Sequence, residues 1–296
     1  MTTKHNTAIE SKPSTIASCL ESPVTLRTLR RWSKEGSKWA CLTCYDATTA
    51  RIMAGAGLPT MLVGDTAAEM ILGYDSTIHA PLDFLITLTA AVKRGAPNVF
   101  VIGDMPFLSY QVDEASAIQN AGLFLTEGKA DAVKLEVDGK WTRRVEAICD
   151  AGIATVAHLG SRPQQAKQTG GYTTAGRSAN AAKKIVEDAI AMEQAGASMI
   201  LLEAVPEEVS SAVVEAITLP VIGCGAGTVC HGQVVVMQDL AGMTKWQPSF
   251  AQPISSIGDE IANVASSWMR NVSTNNLGKH PYSMREGESE LFKERG

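Results

Sequence analysis

Six ionisable side chains stand at or just past the ends of short apolar runs. Asp65 follows the run at residues 60–63, Asp104 that at 99–102, His158 that at 154–157 and Glu203 that at 199–202. Lys134 and Glu136 lie two residues apart at the end of the run at 132–135. Two Asp and one Glu supply hard oxygen ligands without a Cys2His2 set, which favours Mg2+ over zinc. A Lys beside such a metal suits a carboxylate or enolate oxygen, and a Glu the metal does not need suits a general base. Asp65 alone reads equally well as a helix N-cap. The set as a whole has the alternative of a buried ion-pair network. Its acids outnumber its bases, so a cation neutralises it more simply.

These residues need a scaffold that brings distant strand ends together. Eight apolar, β-branched runs occur at 40–43, 60–63, 99–102, 132–135, 154–157, 199–202, 220–223 and 232–237. They do not alternate strictly, the texture of strands buried on both faces in a parallel sheet. Helix-like stretches separate most of them, at 47–56, 82–94, 114–127, 140–150, 180–195 and 207–216. Eight such repeats in about 200 residues fit one closed (β/α)8 TIM barrel, with an open doubly wound sheet as the alternative. In a barrel the C-terminal strand ends meet at one mouth, and period two points Lys134 and Glu136 to one face. Residues 24–35 read as an amphipathic helix, either an N-terminal cap on the barrel or a helix with a solvated basic face. Residues 254–269 read as a helical C-terminal extension. The expected organisation is a poorly ordered tail at 1–23, the catalytic barrel at 24–270 and a polar tail at 271–296.

The chain has 296 residues and a formal net charge of −5, which disfavours a nucleic-acid partner. No apolar run is long enough for a membrane span or a secretory signal, and Glu10 and Glu21 argue against a mitochondrial leader. Six scattered cysteines are too few for a disulfide scaffold. The spacing of Cys41 and Cys44 matches a redox or zinc motif, but no second pair exists, and buried reduced thiols in a cytoplasmic protein are expected. Gly223–Gly227 lacks the last glycine of a dinucleotide fingerprint. The loop at 160–177 has the length of a lid, and its Arg162, Lys167 and Arg177 either meet an anionic substrate or are solvated.

Taken in order, several segments carry a family resemblance. They are LTCYDATTARI at 42–52, MLVGDTAAEMILGYDST at 61–77, AVKRGAPNVFVIGDMPFLSY at 91–110 and VKLE at 133–136. AHLGSRPQ at 157–164, GGYTTAGR at 170–177, LLEAVP at 201–206 and PVIGCGAG at 220–227 complete the series. The chain resembles the ketopantoate hydroxymethyltransferase (3-methyl-2-oxobutanoate hydroxymethyltransferase) family of pantothenate biosynthesis. The resemblance implies a (β/α)8 barrel in a homo-oligomer, usually a decamer of two pentameric rings. It implies 5,10-methylenetetrahydrofolate as co-substrate and a 2-oxo acid, 3-methyl-2-oxobutanoate, converted to 2-dehydropantoate. Asp65 and Asp104 match Mg2+ ligands, with Glu136 nearby and bonded through water. Thr66, where the family usually has Ser, together with Lys134 and His158, matches substrate-binding positions, and Glu203 matches the catalytic base.

The chain departs from the family pattern in its loops. Val137-Asp138-Gly139 replaces Gly-Gly after Lys-x-Glu, and Ser161-Arg162-Pro163 replaces Leu-Thr-Pro after His-Gly. Thr173-Thr174-Ala175 and Cys224 also differ. Two readings compete with the family activity. One is a related metal-dependent enolate enzyme acting on another 2-oxo acid or electrophile. The other is a non-catalytic paralogue that binds a metabolite, against which the intact Asp65, Asp104, Lys134 and Glu203 argue.

Overall fold

The structure is a computed structural model, and it describes residues 22–294. Most of the expected N-terminal tail, with Cys19, lies outside the described residues.

The apolar runs form eight strands: β1 (Trp39–Thr43), β2 (Thr60–Val63), β3 (Phe100–Asp104), β4 (Ala132–Glu136), β5 (Thr155–Gly160), β6 (Met199–Glu203), β7 (Val221–Cys224) and β8 (Gly232–Val235). Each pairs in parallel with the next, and β8 returns to β1, with Trp39 opposite Gly232. The barrel is therefore closed, and the open-sheet alternative is excluded. The helices are α1 (Leu26–Lys34), α2 (Ala47–Gly55), α3 (Ala67–Met70), α4 (Leu82–Gly95), α5 (Glu114–Thr126), α6 (Thr142–Asp150), α7 (Ala166–Thr169), α8 (Ala179–Gln194), α9 (Glu207–Ala216), α10 (Met237–Leu240), α11 (Ile257–Ser273) and α12 (Glu288–Glu294). Local chemistry sets several starts. Asp46 accepts the amides of Thr48 and Thr49 ahead of α2, and Asp113 forms a capping box with Ser116 ahead of α5.

Strand parity sorts the barrel's side chains into two cores. Met61, Val63, Val101, Val133, Leu135 and Ile200 point outward and pack with Leu85, Val92, Phe124 and Ile148 of the surrounding helices. Cys41, Leu62, Phe100, Ile102, Val156 and Leu201 point inward and pack with Leu29 and Trp32 of α1. Trp32 and Trp39 rings lie 6.3 Å apart, so α1 closes the N-terminal end of the barrel. Its Arg27, Arg30 and Arg31 stay exposed on the opposite side. Both readings of residues 24–35 thus hold, one for each face of the helix.

Cys41 falls in the inner core and Cys44 in the outer one, as a separation of three along a strand requires. Burial pushes their thiols up to about 12 and about 11, so neither ionises near neutrality.

The chain divides into two compact units. The barrel comprises the described residues to Met237 with Ser249–Ala251; the second unit comprises Gln238–Pro248 and residues from Gln252 onward. Within the second unit, α11 has no buried residue, and Ile261, Val264, Trp268 and Val272 make an exposed apolar stripe. The polar tail contains one more element than its composition suggests, the short helix α12.

Candidate active site

The same parity, followed to the C-terminal ends of the strands, aims the polar residues into the mouth. Phe100 and Ile102 face inward, so Asp104 does; Ala132 leads to Lys134 and Glu136, Val156 to His158, and Met199 and Leu201 to Glu203. Register then makes neighbours of them, with Asp104 opposite Lys134 and Glu136 opposite His158. Asp65 lies just past β2, and its backbone N–H donates to Asp104 Oδ2 at 2.9 Å. The helix that follows, α3, starts without a side-chain cap, so Asp65 is not spent on capping.

Asp65, Asp104, Lys134, Glu136 and His158 are all buried. Lys134 Nζ lies 2.8 Å from Asp104 Oδ1 and 3.3 Å from His158 Nδ1. With Lys134 as donor, His158 Nδ1 is an acceptor, which leaves the proton on Nε2. That nitrogen is 3.4 Å from Glu203 Oε2 and has no hydrogen bond of its own. Burial, then the charges of Lys134 and Arg162, hold the His158 pKa well below its ordinary value, so the ring is neutral. Thr66 Oγ1 lies 2.6 Å from the Tyr45 hydroxyl at the edge of the site.

The acids carry the opposite imbalance. Burial, reinforced by Asp65, pushes Asp104 up against the pull of Lys134. Burial also raises Glu136 well above the carboxylate range, and one of its oxygens, Oε1, has no hydrogen bond. Glu203 is raised to about 7, by burial first and Asp65 last, with Lys134 opposing. Lys134 shows the reverse. Burial alone would lower it, but Asp104, Asp65 and Glu136 raise it overall, so it is firmly an ammonium. Three buried carboxyl groups, with the partly exposed Glu203 beside them, therefore share one ammonium. Among the described residues no three His, Cys, Asp or Glu side chains converge to hold a metal by themselves. Asp65 and Asp104 adjoin one another, and Gln164 bridges Asp65 to Glu136.

Residues without a sequence-level role complete the site. Gln164 donates from Nε2 to Asp65 Oδ2 at 2.9 Å and from its backbone N–H to Glu136 Oε2 at 3.0 Å. The buried Tyr110 hydroxyl accepts the Glu136 N–H at 3.1 Å and lies 2.9 Å from Gln164 Oε1. Both are polar residues in loops, where no periodicity marks them. A cavity of about 310 Å³ adjoins Glu136, bounded by Tyr110, Phe107, Trp141, Gln164 and Lys167.

The loop after β5 is pinned where it starts. Gly160 has φ +94°, and a Cβ there would lie 2.4 Å from the Glu203 carbonyl oxygen, so only glycine fits. Arg162, one of the candidate anion contacts, instead pairs with Asp138 at 2.7 Å. Further along, the Tyr172 hydroxyl reaches Glu69 of α3 at 3.4 Å, so the loop crosses between the ends of β5 and β2. Gly223–Gly227 packs on the protein's own side chains. A Cβ on Gly225 would strike Phe250, one on Gly227 would strike Glu207, and Glu207 accepts the Thr228 amide at 2.7 Å. The stretch is thus the end of β7 and the bend that follows it, packed on the protein's own side chains.

A family model described as ketopantoate hydroxymethyltransferase matches residues 23–280. The chain belongs to the ketopantoate hydroxymethyltransferase family. Relatives of this family include the 3-methyl-2-oxobutanoate hydroxymethyltransferase of Mycolicibacterium vanbaalenii, 41% identical over 83% of this chain and 88% of that protein. The enzyme of the same name from Clostridium beijerinckii is 37% identical over 91% and 98%. Among solved structures, a phosphonopyruvate hydrolase aligns with TM-score 0.59 at 12% identity, covering 92% of this chain and 96% of that one. A 2,3-dimethylmalate lyase of the PEP mutase/isocitrate lyase superfamily aligns with TM-score 0.57 at 16% identity, covering 92% and 94%. At such identities these two show that the family shares its barrel with them, and no more.

Proposed function

We propose that the protein is a 3-methyl-2-oxobutanoate hydroxymethyltransferase of pantothenate biosynthesis. It transfers a one-carbon unit from 5,10-methylenetetrahydrofolate to C3 of the oxo acid. Water is consumed, and tetrahydrofolate and 2-dehydropantoate are released. The observation that carries this reading is that Glu203 meets His158 at 3.4 Å while Asp65 and Asp104 contact each other, in a barrel of this family. One carboxylate is thereby spared to act as a base.

The residues divide the work. Glu203 takes the proton from C3 of the oxo acid, and its raised pKa makes it a better base than an ordinary carboxylate. The orphaned Nε2–H of His158 and the ammonium of Lys134 are directed donors for the oxygens of the substrate. The aromatic walls of the cavity beside Glu136 support binding of the flat ring of the folate.

Asp65 and Asp104 are the residues that would hold Mg2+, with Glu136 behind them. The surplus of buried carboxyl groups and the unpartnered Glu136 Oε1 fit a cation there. Bound at this place, Mg2+ would supply Lewis-acid polarisation of the keto group.

The test is solvent-deuterium exchange at C3 across a panel of 2-oxo acids, with and without Mg2+ and the folate. Exchange and turnover with 3-methyl-2-oxobutanoate above other oxo acids support the reading. Turnover of another oxo acid far above it favours the second reading, an enolate enzyme of different specificity, motivated by the altered loops after Glu136 and His158. The stripe on α11 supports a homo-oligomer, decameric by family resemblance, and sedimentation gives its size. The five described cysteines are not disulfide-bonded, which supports a cytoplasmic setting.

A further inference from the structure

Gln164 is buried and uses its whole amide. Nε2 donates to Asp65 Oδ2 at 2.9 Å and to the Met105 carbonyl at 3.0 Å. Oε1 lies 2.9 Å from the Tyr110 hydroxyl and 3.3 Å from Gln111 Nε2. The Asp65 carboxylate and the Met105 carbonyl only accept, so the amide orientation is determined by its partners. With its backbone N–H on Glu136 Oε2, this one residue spans the carboxylates that follow β2 and end β4.

Something must hold Gln164 there, because it sits in a single 3-10 turn, Pro163–Gln165, that has no side-chain cap. Two residues before it, Arg162 Nη1 meets Asp138 Oδ2 at 2.7 Å, with side chains 21% and 24% exposed. Asp138 is itself fixed, since Oδ1 accepts the Lys140 amide at 3.0 Å, and the next residue, Gly139, donates to Asp188 at 2.9 Å. The ion pair therefore ties the turn bearing Gln164 to the loop that follows Glu136. Asp138 and Arg162 both lie in segments that depart from the family pattern, and the structure brings the two departures together.

We infer that Gln164 is a positioning residue that orients the Asp65 and Glu136 carboxylates, and that the Asp138–Arg162 ion pair is the latch that keeps it seated. The latch does not touch the substrate. Opening it lowers the fraction of enzyme with its carboxylates in place, and saturating ligand restores that fraction. This inference takes its substrate from the proposed function, but its first readout does not depend on it.

That readout is calorimetric titration of Mg2+ alone into the full-length protein. Gln164→Met keeps the length of the side chain and removes the amide; it is expected to weaken Mg2+ binding about tenfold or more. The absence of Mg2+ binding by wild type, or equal affinity in Gln164→Met, overturns the inference.

The second readout is a kinetic double-mutant cycle on the latch. Asp138→Asn keeps the cap on Lys140 and loses the charge, and Arg162→Gln loses the other charge. Each is expected to raise KM for the oxo acid about three- to tenfold with kcat within about twofold. The double variant is expected to be no worse than either single variant, and Arg162→Lys to recover part of the loss. Additive losses in the double variant, or a fall in kcat without a change in KM, overturn the latch. A wild type that binds Mg2+ but neither exchanges nor turns over 3-methyl-2-oxobutanoate overturns the functional reading and leaves the Mg2+ readout standing.

Discussion

Asp104 and Lys134 are register partners on β3 and β4, and their side chains close a 2.8 Å ion pair inside the barrel mouth. Lys134 is the ammonium that holds the buried acids of the site in check. Lys134→Met removes it and leaves Asp104 and Glu136 to be neutralised by proton uptake. Both acids then have folded pKa values raised further above their unfolded ones, and such groups lose stability as pH rises. The variant is therefore expected to lose about 3–5 kcal/mol at pH 8, and less at pH 5. Urea unfolding at the two pH values measures this, and a loss that does not grow with pH would contradict it.

Glu203 connects the site's electrostatics to the rate. Its pKa of about 7 means that near neutrality only about half of the enzyme carries the ionised base. The rate of deuterium exchange at C3 is expected to rise with pH and level off above about 7. Glu203→Gln is expected to lose exchange by at least about 10²-fold while Mg2+ binding persists. A pH-independent exchange rate between pH 5.5 and 8.5, or exchange at wild-type rate in Glu203→Gln, would assign the base elsewhere.

The residue after this base has an unusual backbone. Ala204 has φ +46°, its N–H donates to the Cys224 carbonyl, and its own carbonyl accepts the Ala175 amide. A left-handed alanine costs about 1–2 kcal/mol, and glycine would relieve this while loosening the unfolded chain by about 0.4–1 kcal/mol. Ala204→Gly is thus expected to be neutral or up to about 1 kcal/mol stabilising. Ala182→Gly in α8 serves as the control and is expected to cost about 0.5–1 kcal/mol. Equal losses in the two variants, measured by urea unfolding, would show that Ala204 is unstrained.

Much of this site is legible in the sequence because strands obey parity. Once Phe100 and Ile102 are inward, Asp104 must be, and the same step places Lys134, Glu136, His158 and Glu203. The eight apolar runs likewise match the eight strands to within a few residues at their ends. Loops carry no such rule. Gln164 and Tyr110 lie inside recognisable segments, yet their contacts with Asp65 and Glu136 arise only when loops distant in sequence close over one mouth. Asp138 and Arg162 look like two unrelated departures until their 2.7 Å contact is seen. The helix α12 escapes the pattern for a different reason: its Leu291 and Phe292 are exposed like their polar neighbours, so burial imposes no pattern on them.

The pairing of Asp65 with Asp104 leads to the last prediction. Burial, and then the charge of Asp65, whose backbone N–H donates to Asp104 Oδ2, drive the Asp104 carboxyl toward protonation. A divalent cation opposes that drive and offers open positions to a ligand with two oxygens. Asp104→Ala removes one ligand and also frees Lys134 from its 2.8 Å partner. The variant should therefore bind 3-methyl-2-oxobutanoate no better with Mg2+ than with a chelator. Wild type should bind it at least about tenfold more tightly with Mg2+. Calorimetric titration of the oxo acid into both proteins under both conditions decides the matter. If wild-type affinity is the same with Mg2+ and with chelator, the oxo acid does not bind through the cation, and Asp65 and Asp104 act only as partners of Gln164 and Lys134.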